Sequence, residues 1–238
     1  MEYTRSRKYE KERYISRMMG PNPLKLAEEL MEGNRIARDS YVMDLGSGEG
    51  ITSLFLRKEY GFRVTAADLW SDEGRVSEFF ASEGESSDVL RAVHADAVCL
   101  PFRKEEFDAV VSVDSYNYFG RDEGYLDNCL LPFIRKGGLI YLAITAARKD
   151  MRPPYPDCIM LSWDEEQMEY IRGPEYWKAI FSACKGAELE ELSVMESNEE
   201  VWADWLRLDN PYAKGDKAAI ENGALEHLCF LKAVLRKK

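Results

Sequence analysis

Histidine and cysteine are scarce in this sequence, and their spacing does not suit a metal site or a disulfide framework. The 238 residues include five cysteines and two histidines, His94 and His227, which lie far apart. The cysteines are scattered, odd in number and never in C-x-x-C spacing. Zinc sites and disulfide frameworks require closer or paired spacing of these residues. We therefore expect no bound metal, and we interpret the cysteines as thiols of the core.

The sequence also has no excess of positive charge and no long apolar run. The 43 acidic residues outnumber the 32 basic ones and give a net charge of -11, so there is no broad cationic surface to bind phosphates. No apolar run approaches the about 20 residues of a membrane-spanning helix, and the highly charged residues 1–17 contain no apolar signal region. We expect a cytoplasmic protein that neither binds nucleic acid nor spans a membrane. The sequence does not indicate its oligomeric state.

Glycine, by contrast, is concentrated in residues 41–50, YVMDLGSGEG. The apolar start predicts a short buried strand, and Ile51, Leu54 and Phe55 have the spacing of a helix that follows the glycines. Three glycines in five residues leave the turn nearly free of side chains, so a ligand can lie against the backbone. This stretch predicts a nucleotide-cofactor site.

The spacing of these glycines disfavours a dinucleotide cofactor. Dinucleotide loops read G-x-G-x-x-G, whereas here Ile51 occupies the position of the third glycine. Asp44, two residues before Gly46, would repel phosphates but suits a cofactor with an amino group and a positive centre. S-adenosylmethionine has both features, so it is preferred to a nicotinamide cofactor of an oxidoreductase.

The segment DLGSGEG resembles the cofactor loop of class I S-adenosylmethionine-dependent methyltransferases of the small-molecule type. Later segments resemble further motifs of that family in the same order: FRVTAAD at 62–68, VHADAVCLPF at 93–102, FDAVVSVD at 107–114 and RKGGLI at 135–140. The resemblance covers residues from about Tyr41 to Thr145, and outside them it is loose.

The resemblance implies a set of cofactor contacts. Asp68 would accept hydrogen bonds from both ribose hydroxyls, and an apolar side chain after it, Leu69 or Trp70, would lie against the adenine. Asp96 would meet the adenine amino group. The cofactor-binding residues are therefore expected to be Asp44, Gly46, Ser47, Gly48, Gly50, Asp68, Leu69, Trp70, Asp96 and Ala97.

The expected fold is α/β, with a doubly wound, mostly parallel seven-stranded sheet, helices on both faces and an antiparallel C-terminal strand. We expect one domain over residues 1–238: a helical arm at 1–33, a cofactor-binding core at 40–145, and a substrate-side half at 146–238. That half includes a helical excursion at 197–223. The arm is either a fraying terminus or a lid, and the tryptophans of the excursion belong either to a lid or to the core.

Two local predictions concern helices. The apolar positions from Leu126 to Ile134 have helical spacing, with a kink expected at Pro132. Ser162 and Glu165 have the spacing of a capping box at the start of a short helix.

Methyl transfer from a sulfonium is an in-line displacement that needs alignment and exclusion of water rather than a metal. A general base is needed only when the acceptor is protonated at working pH. The candidates are Asp114, at the end of the fourth strand, and the hydroxyls of Tyr116 and Tyr118, although Asp114 is equally explained as a turn-capping carboxylate. We expect transfer to a small, partly apolar acceptor. The alternative is a cofactor-binding or partner-binding module without catalysis.

Overall fold

The computed structural model describes residues 2–238, and these residues form a seven-stranded sheet of order β3-β2-β1-β4-β5-β7-β6. The strands are β1 Tyr41–Leu45, β2 Arg63–Asp68, β3 Leu90–His94, β4 Phe107–Val113, β5 Ile134–Ala147, β6 Ala187–Val194 and β7 Leu228–Lys237. The first five pair in parallel, and β7 runs antiparallel between β5 and β6. The predicted fold class is confirmed.

Helices cover both faces of this sheet. The α-helices are α1 Glu12–Ile15, α2 Pro23–Leu30, α3 Ile51–Phe55, α4 Glu73–Ser82, α5 Tyr116–Phe119, α6 Asp157–Met160, α7 Glu165–Met168, α8 Pro174–Ala183, α9 Asn198–Trp205 and α10 Pro211–Glu221. A π-helical turn, Leu56–Tyr60, continues α3. Among the helices of residues 2–238, none has the length and apolar character needed to cross a membrane.

Alternation along the central strands divides the core between the two faces. In β1, Val42 belongs to one hydrophobic cluster and Met43 to the other, and in β4 Val111 and Val110 divide in the same way. Successive side chains of a strand point to opposite faces, so an apolar strand with helices above and below is buried on both sides. These strands are therefore apolar almost throughout.

Residues 3–18 of the N-terminal arm are packed against the body of the protein. Tyr3, Tyr9 and Tyr14 are all 5% exposed or less. The Tyr9 hydroxyl donates to Glu59 at 3.0 Å, and the Tyr14 hydroxyl donates to Glu83 at 2.9 Å. Buried aromatic rings with satisfied hydroxyls are not features of a fraying end, so the described arm belongs to the folded core.

The predicted helix from Leu126 to Ile134 is wrong over its second half. The chain forms a π-helical turn at Leu126–Leu130 and a 3-10 turn at Leu131–Phe133, and β5 already begins at Ile134. Pro132 has no backbone N–H to continue an α-helix, so the chain leaves the helix there instead of only kinking.

The predicted capping box also lies elsewhere. Asp164 and Gln167 form it at the start of α7, with Asp164 Oδ1 accepting from Gln167 N at 2.8 Å. The Ser162 hydroxyl oxygen instead accepts a hydrogen bond from Ala219 N in α10 at 2.9 Å. Ser162 therefore joins the turn after α6 to α10.

Candidate active site

A cavity of about 500 Å³ lies where the carboxyl ends of β1, β2, β4 and β5 meet the arm and the helices of the C-terminal half. This edge of an open α/β sheet is where ligands bind, and the volume lies in the range of small-molecule sites. Its walls come from four parts of the chain. They are Met19, Gly20, Pro21, Gly46, Gly48, Asp68 and Trp70; Asp114, Ser115, Asn117, Tyr118 and Thr145; Trp163, Gln167, Met168, Tyr170 and Ile171; and Trp202, Trp205, Tyr212, Asp216 and Leu228.

At one end of the cavity, Gly48 is the glycine of the loop that faces open space. Its φ is +52°, and a Cβ atom built on it would meet only Met19 Cγ, at 3.9 Å. The other two glycines serve packing: a Cβ at Gly46 would lie 2.2 Å from Ser115 Oγ, and one at Gly50 would lie 2.8 Å from Phe80. Gly46 and Gly48 both line the cavity, but of the three glycines only Gly48 would direct an added side chain into open space.

Asp68 lies beside this loop at the end of β2. Its Oδ2 accepts from Gly48 N at 2.9 Å, and its Oδ1 accepts from Trp70 N and Ser71 N, each at 2.8 Å. A carboxylate has about four acceptor sites, so three backbone N–H groups leave room for one more donor without rearrangement. Asp68 thus orients the loop in addition to facing the cavity.

At the other end, Asp114 follows β4 with a φ of +54°, in the left-handed region that Asp tolerates better than most residues. The Thr145 hydroxyl donates to its Oδ1. Gly20 lies against the same carboxyl group, since a Cβ there would be 2.5 Å from Asp114 Oδ2. The arm and β5 together hold this side chain at the cavity.

Comparison with known proteins gives one consistent result. A sequence model of a methyltransferase domain matches residues 43–142. A 2-methyl-6-phytyl-1,4-hydroquinone methyltransferase of Synechocystis sp. is 28% identical over 167 residues, covering 69% of this chain and 49% of that protein. Residues 43–142 of this chain are thus similar to a methyltransferase domain.

One further relative matches a shorter stretch of the sequence, and one solved structure shares the fold. A sarcosine/dimethylglycine N-methyltransferase of Halorhodospira halochloris is 30% identical over 82 residues, covering 34% of this chain and 29% of that protein. Geranyl diphosphate C-methyltransferase of Streptomyces coelicolor A3(2), solved with Mg²⁺, geranyl diphosphate and S-adenosyl-L-homocysteine, superposes with a TM-score of 0.70 at 17% identity, over 90% of this chain and 80% of that one. The chain described here spans about half the length of the Synechocystis relative.

Asp44 is buried beneath the glycine loop, outside the lining of the cavity. Asp44 is 1% exposed, and its Oδ2 accepts from the Ser53 hydroxyl at 2.6 Å. Its Oδ1 has no hydrogen-bond partner among the described residues. The pKa of Asp44 is raised to about 7, mainly by burial and to a smaller extent by the charge of Asp68, against the lowering effect of the Ser53 hydrogen bond.

The pKa of Asp114 is shifted in the same direction as that of Asp44. Burial raises the pKa of Asp114 to about 7, the hydrogen bond from Thr145 lowers it, and the negative charge of Asp216 raises it. A carboxyl group that titrates near neutral pH and lies in a cavity has the properties of a general base.

The two tyrosines predicted beside Asp114 are in different environments. Tyr118 lines the cavity, and burial together with the charges of Asp114 and Asp216 raises its pKa to about 12. Tyr116 is fully buried among Phe119, Tyr125 and Trp177 and does not line the cavity. It starts α5 on the inward side of the helix, so its hydroxyl does not share the cavity with Asp114 and Tyr118.

Of the residues predicted to surround the adenine, only Trp70 belongs to the described lining of the cavity. Trp70 is 79% exposed and meets the Tyr118 ring edge-on, with 5.8 Å between centroids. Leu69 is 43% exposed and, like Ser47, lies outside the lining of the cavity. Asp96 accepts from Val98 N, and Ala97 O accepts from the Tyr125 hydroxyl, so both stabilise the loop after β3.

Several lining residues were not predicted. Asp216 in α10 accepts from Trp163 Nε1 and Trp205 Nε1, and the amide of Asn117 is 1% exposed at the cavity. Asp216 lies in a polar helix (AKGDKAAIE) with no motif around it, so only the packing of α10 against the cavity reveals it. Gly20 carried no signal either, because its role is a contact with a residue 94 positions away.

Proposed function

We propose that this chain transfers the methyl group of S-adenosylmethionine to a small-molecule acceptor. The observation that carries this proposal is a single cavity with the glycine loop and Asp68 at one end and Asp114 at the other. One bound cofactor would thereby lie next to one acceptor, which is the arrangement that a direct displacement requires. The relatives are named for a hydroquinone and for sarcosine or dimethylglycine, so their names alone do not select an acceptor.

The residues at the loop end fit this cofactor. Gly48 leaves space that a side chain would fill, and Asp68 keeps one acceptor site for a ribose hydroxyl. The unpartnered Asp44 Oδ1, buried beneath the loop, is the acceptor that we propose for the amino group. Ser47, Gly46, Gly50, Leu69, Trp70, Asp96 and Ala97 remain proposed secondary contacts. When bound, the cofactor supplies an electrophilic methyl group on a sulfonium.

The chain's own contribution is to align, desolvate and deprotonate. The aromatic side chains around the acceptor end exclude water, which strengthens charge interactions there. Asp114 is placed to accept a proton from an acceptor that carries one. Tyr118, with a pKa of about 12, stays protonated at neutral pH and can donate a hydrogen bond but not act as the base. Nothing at the described site favours a module without catalysis.

The test is a binding panel of S-adenosylmethionine, S-adenosylhomocysteine and NAD, measured by calorimetry and thermal shift, followed by mass-shift screening of small acceptors. We expect the two adenosyl compounds to bind and NAD not to bind.

Asp68→Ala should lose roughly 1.5 to 3 kcal/mol of affinity for S-adenosylhomocysteine, because a charged acceptor is removed. Asp209→Ala is the control, since Asp209 is exposed and lies outside the cavity. Stabilisation by NAD alone would contradict the proposal.

A further inference from the structure

We propose that the methyl acceptor is a cationic amine, whose ammonium group is bound by Asp216 and Asp114 inside an aromatic cavity. This inference rests on the proposed function, and it adds the chemical class of the acceptor and a specificity residue, Asp216.

The charge of the cavity is the first observation. Its described lining contains three carboxylates, Asp68, Asp114 and Asp216, and no lysine, arginine or histidine. Neither Asp114 nor Asp216 forms an ion pair with any residue of the described chain. A nearby guanidinium, that of Arg121, lies 4.4 Å from the centroid of the Tyr170 ring but outside the lining. An anionic acceptor would meet like charges at close range, whereas a cation would be attracted.

The second observation is that Asp216 is held in a fixed orientation. Trp163 Nε1 donates to its Oδ1 at 2.9 Å, and Trp205 Nε1 donates to its Oδ2 at 2.8 Å. Each carboxylate oxygen keeps a further acceptor site after one such bond. Burial raises the pKa of Asp216 although both indole bonds lower it, so its charge lacks full compensation by the protein. A bound cation would supply that compensation.

The third observation is the chemistry of the walls. Trp163 packs edge-on against Trp202 with 6.1 Å between ring centroids, and Tyr118 packs against Tyr170 at 5.5 Å. Aromatic faces attract ammonium groups, most strongly when water is excluded. The buried Asn117 Oδ1 has no hydrogen-bond partner among the described residues and adds a neutral acceptor. Acceptor atoms with free capacity beside aromatic rings match a ligand that presents N–H donors and positive charge.

The reaction balances with the residues present. Asp114 takes one proton from the bound ammonium group, which frees the nitrogen lone pair. That lone pair forms the new N–C bond while the C–S bond breaks, and its electrons pass to sulfur, so the sulfonium becomes a thioether. The methylated product carries the positive charge, and the proton leaves from Asp114 to solvent after product release.

Binding is tested first, with the full chain saturated with S-adenosylhomocysteine. Benzyltrimethylammonium, its neutral carbon isostere neopentylbenzene, and phenylacetate are compared by calorimetry or competition. We expect the ammonium probe to bind about tenfold or more tighter than either other probe. Asp216→Asn should weaken the ammonium probe about tenfold and leave the neutral one unchanged. Glu221→Gln, an exposed carboxylate on the same helix that does not line the cavity, is the matched control.

Turnover is tested next with benzylamine, N-methylbenzylamine, benzyl alcohol and benzoate, by mass detection of methylated products. We expect methylation of the amines only, with Asp216→Asn raising KM about tenfold or more while kcat changes less. This KM-against-kcat split separates recognition from a general loss of structure.

The outcomes are distinguishable. Failure of S-adenosylhomocysteine to bind contradicts the proposed function as well as the acceptor class. Normal S-adenosylhomocysteine binding with no preference for the ammonium probe, or with methylation of the alcohol or carboxylate alone, overturns the amine inference and leaves the proposed function standing. Because the probe comparison uses the unmodified chain, it decides the question even if Asp216→Asn does not fold.

Discussion

At the scale of single residues, the buried carboxyl group of Asp44 links stability to pH. The folded-state pKa of Asp44, about 7, lies above the ordinary value of 3.8. Its contribution to the unfolding free energy is therefore fully present below pH 3.8 and is lost as the pH rises through 7. This pKa shift corresponds to roughly 4 kcal/mol, which is the most by which burial of the ionised carboxylate opposes folding.

Asp44→Asn should therefore raise the unfolding free energy by about 2 to 4 kcal/mol at about pH 8, and by less at about pH 5. Asparagine keeps an oxygen to accept the Ser53 hydrogen bond but cannot ionise. Urea unfolding at both pH values measures the effect. The same variant should bind S-adenosylhomocysteine more weakly, because the proposed partner of the amino group has lost its charge. A stability gain that does not depend on pH would contradict this account of Asp44.

The raised pKa of Asp114 leads to a corresponding prediction for the pH dependence of activity. A base must be deprotonated to work, so kcat should fall as the pH drops below the pKa of about 7. Asp216, whose pKa is also raised, faces the same cavity, whereas Tyr118 stays protonated through this range. Asp114→Asn should lower kcat about 100-fold or more and flatten the acidic limb of the profile. Persistence of that limb in the variant would assign it to another group.

At the scale of elements, the end of the arm is fitted to the cavity through Gly20. An alanine Cβ there would come within 2.5 Å of Asp114 Oδ2, so Gly20→Ala should displace the carboxyl group. We expect turnover to fall about 10- to 100-fold, since small displacements of a reacting group carry such costs, with S-adenosylhomocysteine affinity retained. The control is Gly215→Ala in α10, which meets nothing within 4 Å and should stabilise the helix by about 0.5 to 1 kcal/mol. Equal turnover in both variants would show that the arm does not position Asp114.

The helical excursion is anchored by its tryptophans. Trp202 and Trp205 are 5% and 1% exposed and belong to the hydrophobic core, so their burial favours the core interpretation over the lid. Trp205→Ala should lower the unfolding free energy by about 3 to 5 kcal/mol through the cavity it leaves. Trp205→Phe should lose less stability but release one oxygen of Asp216. A melting temperature that is nearly unchanged in Trp205→Ala would restore the lid hypothesis.

At the scale of the whole molecule, the arm joins helices that are otherwise distant in the sequence. Glu28 in α2 accepts from Arg5 N and Ser6 N, Glu59 accepts from Tyr9, and Glu83 after α4 accepts from Tyr14. Removing residues 2–17 would expose the apolar surface that these tyrosines cover.

We expect this truncation to lower the unfolding free energy by about 3 kcal/mol or more, because burial of a single large side chain contributes about 1.5 to 3 kcal/mol. Urea titration of the full and shortened chains measures the change. An unchanged midpoint would support the alternative of a fraying terminus.

The sequence by itself determined where the strands lie along the chain and where the glycine loop lies. Apolar runs between glycines predict parallel buried strands, and the acid at the end of the second strand predicts Asp68, because these patterns depend on neighbours within a few residues. The bulge in β6 between Leu189 and Glu191 also lies where alternation breaks at Glu190 and Glu191. Local chemistry was enough for each of these features.

Only the tertiary structure decided the acceptor end of the cavity. Asp216 acquires its role from the Trp163 and Trp205 indoles, and Gly20 acquires its role from a carboxyl group across the fold. Tyr116 and Tyr118 are two residues apart, yet one lies in the core and the other at the cavity, because a short helix divides them between its faces. Contacts between segments that are far apart along the chain leave no local pattern. The roles of Asp216 and Gly20 could therefore be identified only after the chain was folded.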